Sequence, residues 1–302
     1  MKVLLTGGTG FLGTALHAEL RAQGHDVRLL VRRSSLYKVD ARDGAEVIAG
    51  DVLDTHACLR AVDGCDAVVH LVGIRQERPE QGTTYEAMHT EATYAIVDAA
   101  ARSRVPRVVY MSGLGTREGA PSRYHRTKWE AEGIVRRSGM RWTIFRPSVV
   151  FGPDDEFHPL MIDLVHKAVV PLVDGGTALL QPVSVHNVVR AVAMSLTMPE
   201  AQGRIFEVGG PERVAFVDLV TRVARHCEVW PNTVKVSARV MKPVVAMLQR
   251  FRNFPLTVDE LIMLAEDNVC ATSEFTSAFG FPLDTYLDKL PALLDKARVR
   301  AA

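Results

Sequence analysis

Three side chains in the middle of the chain have the right types for proton transfer to a substrate. Tyr124 and Lys128 are four residues apart in the stretch YHRTK, so a helix would place them on one face. A lysine ammonium favours an ionised phenol, which would bring the pKa of the tyrosine from its usual value of about 10 closer to neutrality. Tyr124 could then act as a general acid or base, and the hydroxyl of Ser112, twelve residues earlier, could hold a substrate oxygen.

Each member of this triad also has a purely structural explanation. Tyr–Lys pairs with this spacing occur on many helices without a chemical role, and an isolated serine such as Ser112 often caps a helix or forms a turn. A catalytic role for the triad is therefore indicated only if the predicted strands and helices bring its three residues together.

A glycine-rich turn at the beginning of the chain predicts a nucleotide site. Residues 2–6 are a short apolar run typical of a buried strand, and the stretch GGTGFLG leads from it directly into an amphipathic helix. Glycines 8, 10 and 13 fit the dinucleotide fingerprint, and glycines 7, 10 and 13 fit its variant. Residues without Cβ allow a tight turn and a close approach of the backbone to a pyrophosphate, whose charge meets the N–H groups of the helix start.

Two arginines indicate which dinucleotide this would be. The second predicted strand ends at Val31 and is followed by Arg32 and Arg33, where an acidic residue would bind the ribose 2′-hydroxyl of NAD(H). Guanidinium groups offer paired donors to an anion and suit a 2′-phosphate better. NADP(H) is therefore favoured over NAD(H), although arginines on a solvated surface would look the same.

Strands and helices alternate regularly along the first half of the chain. This alternation predicts an α/β fold with a doubly wound parallel sheet, the NAD(P)-binding Rossmann fold. Gly73 and Ser112 directly follow two of the strands, at the carboxyl edge of the sheet where ligands bind. The predicted strands are residues 2–6, 25–31, 46–49, 66–72, 107–111 and 142–145, with Asp54 capping the helix after the third strand and a long helix at 84–102.

Proline and glycine at 147–153 mark the first departure from this regular pattern. Residues 183–186 and 204–208 are predicted to be strands that return to the sheet, with Asn187 capping a helix between them. We therefore predict a Rossmann domain of residues 1–152 completed by 181–211. Residues 153–180 and 212–302 would form a smaller, mostly helical domain for the substrate or a partner.

The composition limits the classes of partner. With 302 residues, a net charge of +1 and 47% hydrophobic residues, the chain is typical of globular proteins and has no overall basic field for nucleic acid. Its four cysteines show no metal-binding spacing, so we predict no metal site. A cytoplasmic location is expected, because the first residues are predicted to form a strand rather than a targeting peptide.

Residues 240–254 combine apolar side chains with basic ones. Such a helix can lie at a membrane surface or bind a partner protein. The same pattern is more often the buried face of a helix with its solvated side, which is the favoured interpretation here. The apolar residues are Met241, Val244, Val245, Met247, Leu248, Phe251 and Phe254, and the basic ones are Lys242, Arg250 and Arg252.

Together, TGGTGFLG, a serine after the fifth strand, YHRTK and RPSVVFGP resemble the extended and atypical short-chain dehydrogenases/reductases, which include NAD-dependent epimerases and dehydratases. The resemblance covers nearly the whole chain. The stretches GDVLD, HLVG, RPSVVFGPDDEF, QPVSVHNVVRA, FEVGGPE and AEDNV are similar to the subgroup that contains the NADPH-binding accessory subunit of mitochondrial complex I and its bacterial relatives.

This resemblance implies a role for individual residues. Tyr124 would be the acid/base, Lys128 would bind the nicotinamide ribose and lower the phenol pKa, and Ser112 would orient the substrate. The pyrophosphate would be held by Gly7, Thr9, Gly10, Phe11, Leu12 and Gly13. Arg32 would bind the adenosine phosphate, Asp51 and Val52 the adenine, Leu71, Val72 and Gly73 the adenosine ribose and phosphates, and residues from Pro147 through Val149 to Val150 would flank the nicotinamide.

Two departures from the family pattern leave three functions open. The spacing between Ser112 and Tyr124 is about half that of the nucleotide-sugar enzymes, and His89 stands where those enzymes often have asparagine. The chain is predicted to be an NADP(H)-dependent oxidoreductase acting on a small carbonyl or alkene, for which the apolar C-terminal part suggests a hydrophobic substrate. The alternatives are a non-catalytic NADP(H)-binding partner of a respiratory or quinone-related complex, and an NAD-dependent nucleotide-sugar epimerase or dehydratase.

Overall fold

The computed structural model describes residues 1–39, 44–249 and 256–301. The strands, numbered in chain order, are β1 (Lys2–Thr6), β2 (Asp26–Val31), β3 (Glu46–Ala49), β4 (Ala67–His70), β5 (Arg107–Met111), β6 (Arg141–Pro147), β7 (Val150–Phe151), β8 (Val169–Val173), β9 (Leu179–Leu180), β10 (Val183–Ser184), β11 (Arg204–Val208), β12 (Val214–Ala215) and β13 (Asn232–Val236). The α-helices are α1 (Phe11–Ala22), α2 (Thr55–Val62), α3 (Ala92–Arg102), α4 (Arg123–Arg136), α5 (Phe157–Val165), α6 (Val185–Ser195), α7 (Phe216–His226), α8 (Ala238–Leu248), α9 (Val258–Leu264), α10 (Ser273–Phe279) and α11 (Leu290–Ala301).

The chain divides into two compact units. The first comprises Met1–Pro147, Val185–Glu207 and Ser273–Phe281, and the second comprises Ser148–Ser184, Val208–Thr272 and Pro282–Ala302. The predicted division has nearby limits at 152, 181 and 211, but it assigns residues 273–281 to the smaller domain. In the structure α10 belongs to the first unit, because Phe279 packs against Phe145 of β6 and Phe206 of β11.

The centre of the first unit is a sheet, in which the described residues form seven strands. The strand order is β11-β6-β5-β4-β1-β2-β3. The pairs from β6 through β1 to β3 are parallel, with Val3 of β1 opposite Ala67 of β4 on one side and Val27 of β2 on the other. The predicted doubly wound Rossmann fold is therefore confirmed. Strand order changes direction at β1 and β4, which is the position where open α/β sheets bind ligands.

The apolar runs form this sheet because both faces are covered. All of β4 and β5 is buried, as expected for central strands between two helical layers. One helical layer includes α2 and α3, whose alanines and small apolar residues pack closely on the sheet, among them Ala57, Ala61, Ala92 and Ala99. The other includes α1 and α6, which contact each other.

The second unit contains short strand pairs and helices, and the structure differs from several predictions for this unit and for helix α6 of the first unit. Residues 183–186 do not return to the central sheet, because only Val183–Ser184 is a strand and it pairs with β7. Asn187 lies inside α6 rather than capping it. Two strands of this unit, β8 and β13, pair in parallel over five residues each, although the sequence predicted no strand in either place.

The long helix predicted at 84–102 also differs from the structure. Residues Glu86–Glu91 form a π-helical segment that continues into α3. π-Helical turns inside helices frequently occur at functional sites, and this one carries the buried His89. In the described part of the chain, no helix has the length and hydropathy needed to cross a membrane.

Candidate active site

The glycine turn joins β1 to α1 through very close backbone packing. Gly7 adopts a left-handed conformation with φ of 75°, which favours glycine. A Cβ added to Gly13 would lie only 2.1 Å from the carbonyl oxygen of Gly7 and 2.6 Å from Cα of Gly8. Gly13 is therefore required for the helix to pack on the turn, and the glycines at 7 and 13 take the roles expected for the variant spacing.

Gly10 differs from its neighbours because the protein leaves space beside it. Its φ of −87° suits any residue, and an added Cβ would meet only the Gly7 oxygen, at 3.4 Å. Gly10 is also the N-cap of α1 and is exposed, and no side chain in the described structure caps the helix there. The N–H groups of the first turn are thus available to donate hydrogen bonds to an anion.

The other candidate nucleotide residues follow the strand ends on either side of this turn. Arg32 and Arg33 are exposed immediately after β2, at the start of a short 3₁₀ helix. Asp51 follows β3 and accepts the N–H of Leu53, while Val52 is buried. Leu71, Val72 and Gly73 follow β4, and a Cβ on Gly7 would lie 3.1 Å from the carbonyl carbon of Leu71. Thr9 lies on the turn itself, Phe11 and Leu12 begin α1, and all three are partly exposed.

Helix α4 brings the candidate catalytic pair to the carboxyl ends of β4 and β5. Ser122 caps α4 by accepting the N–H of His125 at 3.2 Å. One turn later, the Nζ of Lys128 donates to the carbonyl of Met111 at 3.0 Å and lies over the ring of Tyr110.

Two glycines lie directly opposite this pair. An added Cβ at Gly73 would lie 2.9 Å from Nζ of Lys128, and one at Gly113 would lie 3.2 Å from the hydroxyl of Tyr124. Because Gly73 and Gly113 have no side chains, the ammonium of Lys128 and the hydroxyl of Tyr124 can lie close to the backbone that follows β4 and β5.

The pKa values of this pair differ from the sequence-based expectation. Burial raises the pKa of Tyr124 to about 12, so the prediction of a phenol titrating closer to neutrality is wrong for the protein alone. Burial also lowers the pKa of Lys128 to about 7, against an opposing effect of Glu132. Lys128 is thus only partly charged near neutral pH, which weakens the electrostatic argument that was based on a permanent ammonium.

His89 is a buried histidine beside Lys128. Its Nδ1 is 2.9 Å from Oγ1 of Thr127 on α4. Its Nε2 lies 3.2 Å from both the backbone nitrogen and the carbonyl oxygen of Ile74, so the ring connects α4 to the segment that follows β4. Burial and then Lys128 lower the pKa of His89 to about 2, so the ring is neutral.

Ser112 belongs to a chain of hydrogen bonds that sequence reasoning missed. Its hydroxyl donates to Oγ1 of Thr116 at 3.3 Å, and Thr116 lies 3.2 Å from Nδ1 of His125. All three side chains are buried, and burial followed by Arg117 lowers the pKa of His125 to about 4. The available signal was the presence of polar residues, Thr116 and His125, in a stretch that had to pack against the sheet.

A buried ion pair supports the same helix one turn further on. Arg146 of β6 binds the carboxylate of Glu132 through two hydrogen bonds of 2.8 and 2.7 Å. Glu132 is fully buried and follows Lys128 by four residues, so Tyr124, Lys128 and Glu132 lie along one row of α4. The pair fixes this row against the sheet, and it explains the arginine of the RPSVVFGP motif.

The predicted nicotinamide-flanking residues are divided between the two units. Pro147 ends β6 in the first unit, and its carbonyl accepts the N–H of Leu114. Val149 and Val150 belong to the second unit, where Val150 pairs with Val183.

Within the second unit, hydrogen bonds join several of the quoted motifs. Ser148 donates to the side chain of Asn268 at 2.6 Å. Gln181 donates to the carbonyl of Gly210 and accepts the N–H of Cys270. Each of the motifs RPSVVFGP, QPVSVHNVVRA, FEVGGPE and AEDNV thus contributes one of these residues to the second unit, namely Ser148, Gln181, Gly210 and Asn268.

Comparison with known proteins identifies a family whose model matches this chain. The model of the family described as NAD dependent epimerase/dehydratase matches residues 3–209, about two thirds of the chain. The match spans the glycine turn, the Tyr124–Lys128 pair and β11. A pyridine nucleotide, NAD or NADP, is the cofactor that this match indicates, and the glycine turn described above fits it.

Two curated relatives cover most of this chain. The mitochondrial NADH dehydrogenase (ubiquinone) 1 alpha subcomplex subunit 9 of Arabidopsis thaliana is 27% identical over 90% of this chain and 70% of its own length. A 3 beta-hydroxysteroid dehydrogenase/Delta 5→4-isomerase of Mycobacterium tuberculosis is 29% identical over 82% of this chain and 75% of its own length. Among solved structures, a nucleoside-diphosphate-sugar epimerase of Staphylococcus aureus has a TM-score of 0.76 at 17% identity, covering 99% of this chain and 100% of that one, which shows the shared fold.

Proposed function

This chain belongs to the NAD dependent epimerase/dehydratase family, and we propose that it is an NADP(H)-dependent oxidoreductase of the atypical short-chain type that reduces a carbonyl or an activated alkene. Family membership indicates NAD(P)-dependent oxidoreductase or epimerase chemistry. The observation that carries the finer proposal is the position of Tyr124 and Lys128 at the carboxyl ends of β4 and β5, in the unit that contains the glycine turn.

The protonation state of Tyr124 supports reduction as the proposed direction of reaction. With a pKa of about 12 the phenol is neutral at physiological pH, so it holds a proton that it can give to a developing alkoxide or enolate. The bound dinucleotide would supply the hydride. Lys128 would hydrogen-bond the nicotinamide ribose, and Ser112, oriented through Thr116, would hold the substrate oxygen.

The proposed nucleotide contacts begin at the glycine turn. The pyrophosphate would lie at the start of α1 beside Gly10, where the protein leaves open space. Exposed Arg32, with Arg33 next to it, supports a 2′-phosphate and hence NADP(H), and Asp51 with Val52 would lie against the adenine. Leu71 to Gly73 would line the adenosine ribose and phosphates, and the segment from Pro147 to Val150 would flank the nicotinamide.

A turnover assay with a matched pair of proteins tests this proposal. NADPH oxidation by the full chain is followed by absorbance against a panel of ketones, enones and quinones, including steroid ketones. We expect turnover with at least one apolar substrate, and Tyr124→Phe should lose at least a hundredfold in kcat while binding NADPH within about twofold of the unmodified chain. Full activity of Tyr124→Phe would contradict the role of Tyr124 as the acid.

A second function is favoured by one observation. The Arabidopsis thaliana relative is named as a subunit of a mitochondrial NADH dehydrogenase (ubiquinone), which supports a role of this chain as an NADP(H)-binding partner of a respiratory or quinone-related complex. In that case the same residues would hold the nucleotide without turnover. NADPH bound tightly by the full chain, with no oxidation by any substrate in the panel, would favour this function. The likeness to nucleotide-sugar enzymes concerns the fold and adds nothing to the third alternative.

The proposed site of action is the cytoplasm. All four cysteines are buried free thiols, as is usual in reducing compartments.

A further inference from the structure

Helix α8 has two apolar faces, of which only one is buried. Val245 packs in a small cluster with Val173 and Leu261, and Met241 contacts the same cluster. This part agrees with the favoured interpretation of residues 240–254 as the buried face of a helix. A different face carries Val240, Val244 and Met247, which are 64%, 49% and 61% exposed.

These three residues, called the α8 stripe below, follow the spacing i, i+4, i+7 of a single helix face. At 3.6 residues per turn they line up along the solvent side, turned away from Val245. Scattered apolar residues on a surface need no explanation, but a continuous stripe of them does. Residues 250–254 of the predicted amphipathic stretch lie outside the described residues.

The sequence segment that contains the α8 stripe carries charges of a single sign. Residues 229–258 contain five lysines and arginines and no aspartate or glutamate, whereas the whole chain has a net charge of only +1. Lys235, Arg239 and Lys242 lie in the described part, and all three are exposed. Asp174 and Glu260 accept backbone N–H groups at the starts of α8 and α9, and Asp259 also lies in the first turn of α9.

An exposed aromatic residue lies before α8 in the chain. Trp230 is 83% exposed, two residues before β13, and Val234 on β13 is also exposed. Tryptophan is enriched at interfaces between membrane and water, because it combines a large apolar ring with a polar N–H group.

We propose that the α8 stripe and its flanking basic residues bind the headgroup region of an anionic lipid bilayer. The helix is complementary to such a surface: it presents apolar side chains that can enter the boundary between headgroups and acyl chains, beside cations that can bind lipid phosphates. A convex helix face with basic residues alongside suits a lipid surface better than a groove-forming protein partner. This surface lies outside the candidate active site, so the inference does not depend on the proposed reaction.

Vesicle co-sedimentation of the full chain tests the proposal. Binding to vesicles of phosphatidylcholine with phosphatidylglycerol should be at least tenfold tighter than to phosphatidylcholine alone, and it should weaken as salt is added. Val240→Ser/Val244→Ser/Met247→Ser should lose at least tenfold in affinity. Equal binding to the two kinds of vesicle, or no binding to either, would overturn the proposal.

A matched pair of charge variants tests the location. Lys235→Gln/Arg239→Gln/Lys242→Gln should lose about fivefold in vesicle affinity for each charge removed. The control Arg222→Gln/Arg225→Gln/Arg298→Gln removes three exposed cations from α7 and α11 and should bind like the unmodified chain. If both triple variants lost affinity equally, the α8 surface would not be the binding site.

A fluorescent label distinguishes a bilayer from a second copy of the chain. The four native cysteines are buried, so a polarity-sensitive dye on Met247→Cys should report α8, with Val299→Cys on α11 as the exposed control. Anionic vesicles should shift the emission of the first label to shorter wavelength and leave the second unchanged. A shift that appears without lipid and grows with protein concentration would instead identify an interface between copies and overturn the proposal.

Discussion

At the residue scale, Lys128 combines a functional position with an unfavourable environment. Its ammonium is buried and hydrogen-bonded to the carbonyl of Met111, and burial lowers its pKa to about 7 from 10.5. His70 and His89 are also buried, and their pKa values are lowered by burial and then by Lys128 to about 3 and about 2. Because both rings are neutral, Lys128 is the cation of this group near and below neutral pH.

The lowered pKa of Lys128 should make the free energy of unfolding depend on pH. A folded-state pKa below the unfolded value means that folding disfavours the charged lysine, so the cost is complete below about pH 7 and disappears as the pH rises toward 10.5. Lys128→Met should therefore raise the free energy of unfolding by about 3 kcal/mol at pH 6, after allowing for the lost hydrogen bond. Urea unfolding at several pH values should show this gain shrinking between pH 7 and pH 10; a gain that grew with pH would contradict the assignment.

Arg32 decides the choice of nucleotide in the proposed site. Arg32→Ala should weaken NADPH binding by about tenfold to a hundredfold, because a charge-assisted hydrogen bond to the 2′-phosphate is lost. NADH lacks this phosphate, so its affinity should change by less than about twofold. Calorimetric titration of both nucleotides measures the difference, and Arg33→Ala separates the contribution of the neighbouring arginine. Equal weakening of NADPH and NADH would exclude the 2′-phosphate argument.

Sequence reasoning found the residues of the candidate site more easily than their interactions. The four-residue spacing on a helix was enough to pair Tyr124 with Lys128, and a strand end was enough to locate Ser112 nearby. It could not show that Thr116 and His125 hold Ser112, because polar partners in a buried layer are fixed by tertiary packing. It also predicted the wrong direction for the pKa of Tyr124, since burial is not visible in the spacing.

At the element scale, the turn between β1 and α1 contains glycines with different functions. Gly13 is needed for packing, because an added Cβ would lie 2.1 Å from a backbone oxygen, whereas at Gly10 the nearest atom would lie at 3.4 Å. The variants Gly10→Ala and Gly13→Ala each add one methyl group to this turn. The two variants therefore separate ligand binding from folding.

We expect Gly10→Ala to fold normally and to lose at least tenfold in NADPH affinity, because the added methyl group would stand where the pyrophosphate approaches the backbone. Gly13→Ala should instead be destabilised by 2 kcal/mol or more, about the cost of forced overpacking. Circular dichroism during heating measures stability, and fluorescence titration measures NADPH binding. Normal NADPH affinity in Gly10→Ala would show that the nucleotide does not contact this turn.

The strands of the central sheet were predictable because they are short apolar runs bounded by polar residues. Residues 46–49 and 107–111 were predicted with the observed limits of β3 and β5. The π-helical segment Glu86–Glu91 was not, because its sequence continues the ordinary helical pattern. The pairing of β8 with β13 was missed since the second strand, Asn232–Val236, is almost entirely exposed and lacks an apolar run.

At the scale of the whole molecule, the first unit contains every residue of the proposed catalytic triad and the glycine turn. The second unit has its own apolar core, which includes Phe151, Leu219 and Tyr286. Tyr286 is held there by Glu212, which accepts its N–H, and by a hydrogen bond of its hydroxyl to His158 at 3.1 Å. A nucleotide that binds only the folded first unit should therefore raise the free energy of unfolding of the protein.

Stabilisation by a bound nucleotide separates the two proposed functions. A nucleotide at one hundred times its dissociation constant stabilises the folded state by about 2.7 kcal/mol, so NADPH should raise the Tm of the full chain by several degrees. At the same NADPH concentration, a tenfold loss of affinity leaves about 1.4 kcal/mol of this stabilisation, so Gly10→Ala should lose about half of the rise or more. For a turnover enzyme, the chain purified without added nucleotide should show this full rise, because a cofactor that must exchange after each cycle is released during purification. For a structural NADP(H) carrier, native mass spectrometry should instead find the 33.2 kDa chain already bound to one nucleotide, and added NADPH should change the Tm little.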